Sequence, residues 1–224
     1  MKQSVSRSGV VPIFPLPETV FFPHTILPLH IFEERYRAMV RDAVDGEGLI
    51  GMALLRGEGG SNERDQPSVH EVGTVGRVED LERLPDGRFN LRLVGLQRVR
   101  YEEIQADSPY RVAHVRPLPE AEVDERDLAV VKAKVDLIAS HGYLLREISG
   151  DMQPSIVFDD RVEFAAAVNR LCAALPVDGS VRQELLETND LLGRYREVSR
   201  ISQQILEYLL RLRTGDSTTE HLLN

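Results

Sequence analysis

The sequence predicts an α+β protein: a β-rich half comes first and a set of helices follows. Up to about residue 118, short apolar or alternating segments are separated by Gly, Pro and Asp, the pattern of strands joined by turns. From Glu122 onward, apolar residues recur at three- and four-residue steps, the period of a helix with one buried face. No internal repeat is visible, so strands packed beside a small helical bundle are the expected architecture. The boundaries expected are a β domain at 1–118, a helical bundle at 119–213 and a disordered tail at 214–224.

The first element to justify is "PLPETVFFPHTILPLHIFEERYRAM", Pro15 to Met39. Pro15, Pro17, Pro23 and Pro28 fix φ and remove N–H donors, which holds the chain extended and out of regular pairing. Ile31, Phe32, Tyr36, Met39 or Val40, and Val44 then fall on one face of an early helix. Glu33 and Glu34 sit in its first turn, where acidic groups suit the helix dipole, and Glu33 is four residues from Arg37. "LIGMALL" (Leu49–Leu55) has the length and composition of a buried strand, and "RGEGGSNERDQPS" after it is expected to be a mobile loop.

A second run of strands starts at Val69. "PDG" (Pro85–Gly87) marks a hairpin turn. Beyond it Phe89, Leu91 and Leu93 alternate with Arg88, Asn90 and Arg92, one dry face and one wet. Gly95 is expected to mark a bulge, after which Val99 and Tyr101 resume the alternation. "SPYRVAHVRPLP" supplies a further strand. Several antiparallel strands at short spacing imply a small barrel or curled sheet.

In the second half, Leu128, Val131, Val135, Ile138 and Leu145 form the predicted apolar face of a first long helix. "DDRVEFAAAVNRLCAALP" is a second helix, with Asp159 or Asp160 as N-cap and Pro176 just past its end. "SVRQELLE" opens with Ser180 and Gln183 at capping-box spacing. A last helix spans about Asn189 to Arg213, with Leu191, Tyr195, Val198, Ile205, Leu209 and Leu212 on one face.

Composition narrows the function classes. The 224-residue chain is 42% hydrophobic and 28% charged, an ordinary globular balance. No apolar run reaches the roughly 18–20 residues that cross a bilayer. The N-terminus lacks a signal-peptide core, so a cytoplasmic location is the expectation. A net charge of −9 disfavours nucleic acid and anionic membranes. Residues 77–116 hold eight arginines against seven acidic groups, a mixed-sign face rather than a basic stripe.

Local chemistry is sparse. "HIFEE" (His30–Glu34) echoes the H-x-x-E-H motif of inverted zinc peptidases, but its fifth position is Glu34 and no second histidine completes a ligand set. There is no P-loop and no G-x-S-x-G, and lysines occur only at 2, 132 and 134. Cys172 lies on an apolar helix face, as a small buried hydrophobe would. Neither a cofactor nor a metal is expected. A hydrolase with a nonlocal site around His30 or His114, and RNA binding through the β half, stay open as alternatives.

"PIFPLPETVFFPHTILPLHIFEERYRAMV" resembles the opening of the Lon protease N-terminal, substrate-recognition domain, with its "PL-P…-FPG-…-PL-IFE-RY" signature. The resemblance continues through "VGTVGRVEDLERLPDGRFNLRLVGLQRVR" and "YRVAHVRPL", and more weakly into "LCAALPVDGSVRQELLETNDLLGRYREVSRIS". It implies a PUA-like β pseudo-barrel followed by a helical bundle, in a stand-alone form lacking the family's ATPase and peptidase modules. It also implies a non-enzymatic module that binds protein or peptide clients, an adaptor beside a separate protease or chaperone. The residues that match the family pattern, with an expected structural role, are Pro15, Pro23, Phe32, Glu33, Arg35, Tyr36, Gly73, Asp86, Gly87, Gly95 and Arg98. The family's glycine after "FP" is His24 here, so a turn with φ > 0 is expected at a non-glycine residue. Phe21, Phe22 and Ile26, between the prolines, are the candidates for peptide contact, with burial in the core as the competing expectation.

Overall fold

The structure, a computed structural model, describes residues 6–57, 68–104, 108–149 and 162–214. Six strands form one sheet: β1 (Val10–Leu16), β2 (Ile26–Ile31), β3 (Leu49–Leu54), β4 (Val72–Arg83), β5 (Phe89–Ile104) and β6 (Arg111–Pro117). Their order is β2-β5-β4-β3-β1-β6, and β6 pairs again with β5, which closes β5, β4, β3, β1 and β6 into a ring. This is the expected pseudo-barrel. Helix α1 (Glu34–Asp45) lies against it, and α2 (Leu128–Ser149), α3 (Phe164–Ala174), α4 (Gly179–Glu187) and α5 (Leu191–Thr214) build the helical part. One pairing departs from the antiparallel expectation. β1 and β3 run parallel, Ile13 opposite Gly51, because α1 returns the chain between them in a crossover.

Closure depends on the length of β5. Its first half, Phe89 to Val94, pairs with β2, and its second half, Val99 to Ile104, pairs with β6. The change of neighbour occurs at Gly95, where the register against β4 slips between Val75 and Gly76, the expected bulge. Gly95 also receives the β1–β2 connection at close range. Its N–H donates to the Thr25 carbonyl, its own carbonyl accepts from the His24 N–H at 2.9 Å, and a Cβ there would run into the Phe22 carbonyl. His24 itself has φ 62°, the left-handed turn predicted for this position. Since the obstacle at Gly95 is backbone, Gly95→Ala is expected to cost about 2–3 kcal/mol, checked by urea denaturation. At Gly73 a side chain would collide with the Met52 carbonyl and the Tyr101 ring. The Tyr101 hydroxyl fills that space by donating toward the Met52 carbonyl at 3.0 Å, and burial pushes it far above its usual range.

Other expectations shift by a few residues. His30 and Ile31 end β2 rather than opening a helix, and Glu33 takes the extended N-cap position of α1. The buried stripe of α1 is Tyr36, Met39, Val40 and Ala43, while Phe32 and Val44 are exposed. Glu33 pairs with Arg35 at 2.9 Å, not with Arg37, whose guanidinium lies over Gly87 in the β4–β5 turn. Gly87 has φ 83°, and Asp86 fixes the turn by accepting from the Arg88 N–H and Nε, which holds its carboxyl below the usual range.

In the helical part, the face of α2 that packs inward is Val130, Ala133, Leu137 and Leu144. Of the predicted face, Leu128, Val131 and Val135 are exposed instead and Ile138 is half-buried, while the side chain of Leu145 lies outside the described ones. Asp159 and Asp160 lie outside the described residues, and α3 starts at Phe164, whose N–H donates to Glu125 Oε1 at 2.5 Å. A carboxylate from the segment before α2 thus caps α3. α4 has Asp178 at its N-cap with no side-chain cap bond, so Ser180 and Gln183 form no capping box. Gln183 is buried and donates to the Val72 carbonyl at 2.9 Å and to Glu187 Oε1, fastening α4 to β4. Leu212 is exposed near the end of α5. The predicted mobile loop and tail fall, for residues 58–67 and 215–224, outside the described residues.

The sheet and the helices are joined by an apolar layer and a buried ionic cluster. Val20, Phe22, Leu54 and Val72 pack against residues of α2, α3, α4 and α5. Beside them Arg98 and Arg194, both fully buried, share the one carboxylate of Glu120. Glu120 Oε1 lies 3.3 Å from Arg98 Nε and accepts a hydrogen bond from Arg194 Nη1. The guanidiniums also close the C-terminal end of α4: Arg98 Nη1 donates to the Leu186 carbonyl at 2.8 Å, and Arg194 Nη2 to the Thr188 carbonyl at 2.6 Å. Burial and the neighbouring Arg194 bring the Arg98 guanidinium down to about 10, with Glu120 opposing them.

Candidate functional site

The residues matching the family signature separate into distinct places. Gly73, Gly95 and Arg98 shape the barrel and its junction, Asp86 and Gly87 form the hairpin turn, and Pro23 is buried where the β1–β2 connection meets the helical part. Pro15, Phe32, Glu33, Arg35 and Tyr36 come together around one open groove of about 410 Å³.

The groove exists because β2 stands outside the closed ring. β2 pairs with β5 alone, so its other edge is open, and the space beside it is bounded by β1 and the start of β6. Pro28 in the middle of β2 lacks an N–H, as suits an edge strand, and limits pairing by another strand there. Phe14, Pro15 and Leu16 come from β1, Leu29 from β2, Tyr36 from α1, and Tyr110 from just before β6. The Tyr36 and Phe14 rings are 4.4 Å apart, and the Arg35 guanidinium lies 4.5 Å above the Tyr36 ring. Burial pushes the Tyr36 hydroxyl up, with Arg35 opposing. Tyr110 is anchored by its hydroxyl, which donates to Asp42 Oδ2 at 2.6 Å. Burial and Asp42 push that hydroxyl up as well.

Phe32 dominates the mouth of the groove. It is 62% exposed, between β2 and α1, with its ring stacked 6.3 Å from that of His30. A large aromatic held this open beside an apolar trough is the kind of exposed apolar surface that marks a contact site. His30 is engaged at both ring nitrogens: Nδ1 donates to Asn90 Oδ1 at 2.7 Å and Nε2 accepts from Arg88 Nη1 at 3.1 Å. It therefore serves to support the Phe32 ring. Glu34 is on α1, and among the described residues no three His, Cys, Asp or Glu side chains converge to hold a metal ion.

The aromatic pair named from sequence lies elsewhere. Phe21 is 4% exposed and packs inside the barrel with Ile50 and Leu93, while Phe22 is 0% exposed and packs toward the helices. Backbone bonds hold the pair in place, Thr74 Oγ1 donating to the Phe21 carbonyl and Thr25 Oγ1 to the Phe22 carbonyl, both at 2.6 Å. Both rings are core, so neither offers surface to a peptide. Ile26 is 52% exposed at the start of β2, outside the groove lining.

Two other hollows are floored by paired charges. One of about 510 Å³ contains the Arg100–Glu71 and Arg116–Glu102 pairs, at 2.5 and 2.9 Å. Another, of about 700 Å³, lies over Arg98 and Glu120. Arg92, Arg98, Arg100 and Arg116 of β5 and β6 are thus matched by acids, Arg92 by Asp80 and Arg98 by Glu120. Cys172 is fully buried in α3, its thiol pushed up to about 12 by burial. Sequence reasoning missed Tyr110 and Arg111, which close the groove; "SPYR" carries no signal beyond strand entry, and the contact is set by how β6 returns to β1.

Comparison with known proteins places this geometry. The structure superposes on the N-terminal domain of the Mycobacterium avium complex Lon protease with a TM-score of 0.64 at 20% identity, covering 87% of this chain and 98% of that one. A Lon N-terminal domain protein from Xanthomonas campestris gives a TM-score of 0.53 at 25% identity, with 89% and 98% covered. Lon protease 1 of Herpetosiphon aurantiacus is 28% identical over 220 residues, 90% of this chain but 27% of that protein. The chain thus spans about a quarter of that relative's length. The family model for the ATP-dependent protease La (LON) substrate-binding domain matches residues 10–204, and the chain belongs to that family.

Proposed function

We propose that this protein captures apolar, loosely structured segments of other polypeptides in the groove beside β2, and presents them to a separate protease or chaperone as an adaptor. The carrying observation is Phe32, 62% exposed over a trough walled by Phe14, Leu29, Tyr36 and Tyr110. An extended segment laid there buries apolar side chains against these walls, with Phe32 as the central anchor. Arg35 and Glu33 at the rim offer charge of both signs, so the groove discriminates by apolar content more than by net charge. Membership of a substrate-binding family supports the reading. A cytoplasmic setting and a role without chemistry of its own belong to the same proposal.

Phe32→Ala tests it. Because the side chain is largely in water, the change should move folding stability by no more than about 0.5 kcal/mol. Affinity for a fluorescently labelled apolar peptide should fall about tenfold, roughly 1.4 kcal/mol. Unchanged peptide affinity in the folded variant would remove the groove from consideration.

A further inference from the structure

β2 has a free edge, and the prolines around it decide what can pair there. Pro28 stands opposite Arg92 in a ladder that runs unbroken from Ile26 opposite Val94 to Ile31 opposite Phe89. A residue without an N–H fits an antiparallel ladder only where its backbone points away from the partner. Leu27, Leu29 and Ile31 therefore bond to β5, and the backbones of Ile26, Pro28 and His30 point outward. The Thr25 carbonyl, which accepts from the Gly95 N–H at 2.9 Å, fixes the same phase at the start of β2. The N–H groups of Ile26 and His30 and the carbonyls of Ile26, Pro28 and His30 find no partner among the described residues. These residues are also exposed. We propose that a client segment binds here as an added β-strand, held through its backbone N–H groups to the outward carbonyls of β2. It rests on the groove as a client site and adds the conformation that the client takes.

The far wall of the groove explains why the gap stays open. Ile13 is the last residue of β1 opposite β6; Phe14 to Leu16 pair with β3 alone and, with Pro17, line the groove. The Leu16 carbonyl accepts from the Leu55 N–H on the β3 side, so Pro15 points the other way, and it has no N–H to offer. Donors are thus scarce on both walls while carbonyls remain, and β1 does not close onto β2. A client backbone carries an N–H at every residue except proline, which is the group this edge lacks. The β2 strand of a second copy is a poorer occupant. Two such edges paired about Pro28 would set two carbonyls face to face with no donor between them. Along β2, Leu27 and Leu29 are half-buried and Ile31 is buried, with Leu29 in the groove lining, whereas Ile26, Pro28 and His30 face solvent. An added strand alternates in the same way, so every second side chain turns toward the trough. The client class is therefore a β-prone segment with an apolar residue at alternate positions and no proline among the residues that bond to the edge.

Amide hydrogen exchange by NMR on the whole chain, free and saturated with a peptide of alternating apolar residues, tests this. The Ile26 and His30 amides should exchange freely without peptide and slow at least about tenfold with it, while those of Leu27 and Leu29, already bonded to β5, should be protected in both states. Single N-methylation along the peptide should weaken binding about tenfold at alternate residues and leave it within about twofold of the parent at the residues between them. A peptide whose binding depends on Phe32, yet which leaves Ile26 and His30 exchanging freely, overturns the added strand and spares the groove. An N-methyl scan without alternation does the same. If no such peptide binds, the groove falls as a client site and the added strand falls with it. Protection that appears without peptide and grows with protein concentration assigns the edge to a second copy and overturns the proposal.

Discussion

Glu120→Ala should lower the unfolding free energy by about 3–5 kcal/mol, among the largest effects of any single substitution in this protein. Glu120 is the shared counter-charge of two guanidiniums that have no exposed surface, Arg98 from β5 and Arg194 from α5. Removing it leaves two like charges facing each other out of water, compensated by the carbonyls at the end of α4 and by the Asn169 and Asn189 Oδ1 atoms. For a chain of 224 residues such a loss corresponds to a drop of roughly 10 °C in melting temperature. A double change, Glu120→Ala with Arg194→Met, should cost clearly less than the sum of the two single changes, because it removes one of the stranded charges. Urea denaturation of the three variants checks this; additive costs would mean that the cluster is not coupled. The same cluster docks the helical part on the barrel, so loss of Glu120 should loosen that junction first.

Phe22→Ala should cost about 3–5 kcal/mol, by lost transfer energy and by the cavity left between barrel and helices. The ring is completely buried among Val20, Leu54 and Val72 and the facing helices, and its own carbonyl is seated against Gly95. The contrast with Phe32 is the informative part. Two phenylalanines ten residues apart, in the same proline-rich stretch, should give opposite phenotypes: stability lost with Phe22, binding lost with Phe32. Thermal melting and peptide titration of both variants separate the roles.

How much of this was legible in the sequence depends on the range of the forces involved. The alternation of Phe89, Leu91 and Leu93 and the turn at Pro85–Gly87 are local, and the structure follows them. The left-handed turn at His24 was legible because a residue stood where the family pattern has glycine. Periodicity failed at α2 for a physical reason: apolar residues recur at helical spacing on both sides, Val130, Ala133 and Leu137 inward and Leu128, Val131 and Val135 outward. Periodicity finds an apolar face but does not say which neighbour is there. Phe32 was misplaced because Tyr36 follows it at a helical step of four residues, while β2 runs through Ile31 and delays the helix to Glu34. The groove and the ionic cluster were invisible for a different reason. Phe14, Leu29 and Tyr110 meet only after β5 closes the ring, and Arg98, Glu120 and Arg194 span nearly a hundred positions. No local pattern encodes such a meeting.

The central claim is that the trough beside β2, with Phe32 at its mouth, takes apolar segments of unfolded chains. The most direct measurement is a fluorescence-anisotropy titration of the protein into a labelled small protein kept unfolded by reduction and alkylation, with the same protein in native form as the control client. The wild type should bind the unfolded client and not the native one, and Phe32→Ser should weaken that binding at least about tenfold while its circular dichroism spectrum and melting curve stay those of the wild type. Equal binding to both clients, or full affinity in the folded Phe32→Ser variant, would contradict the account.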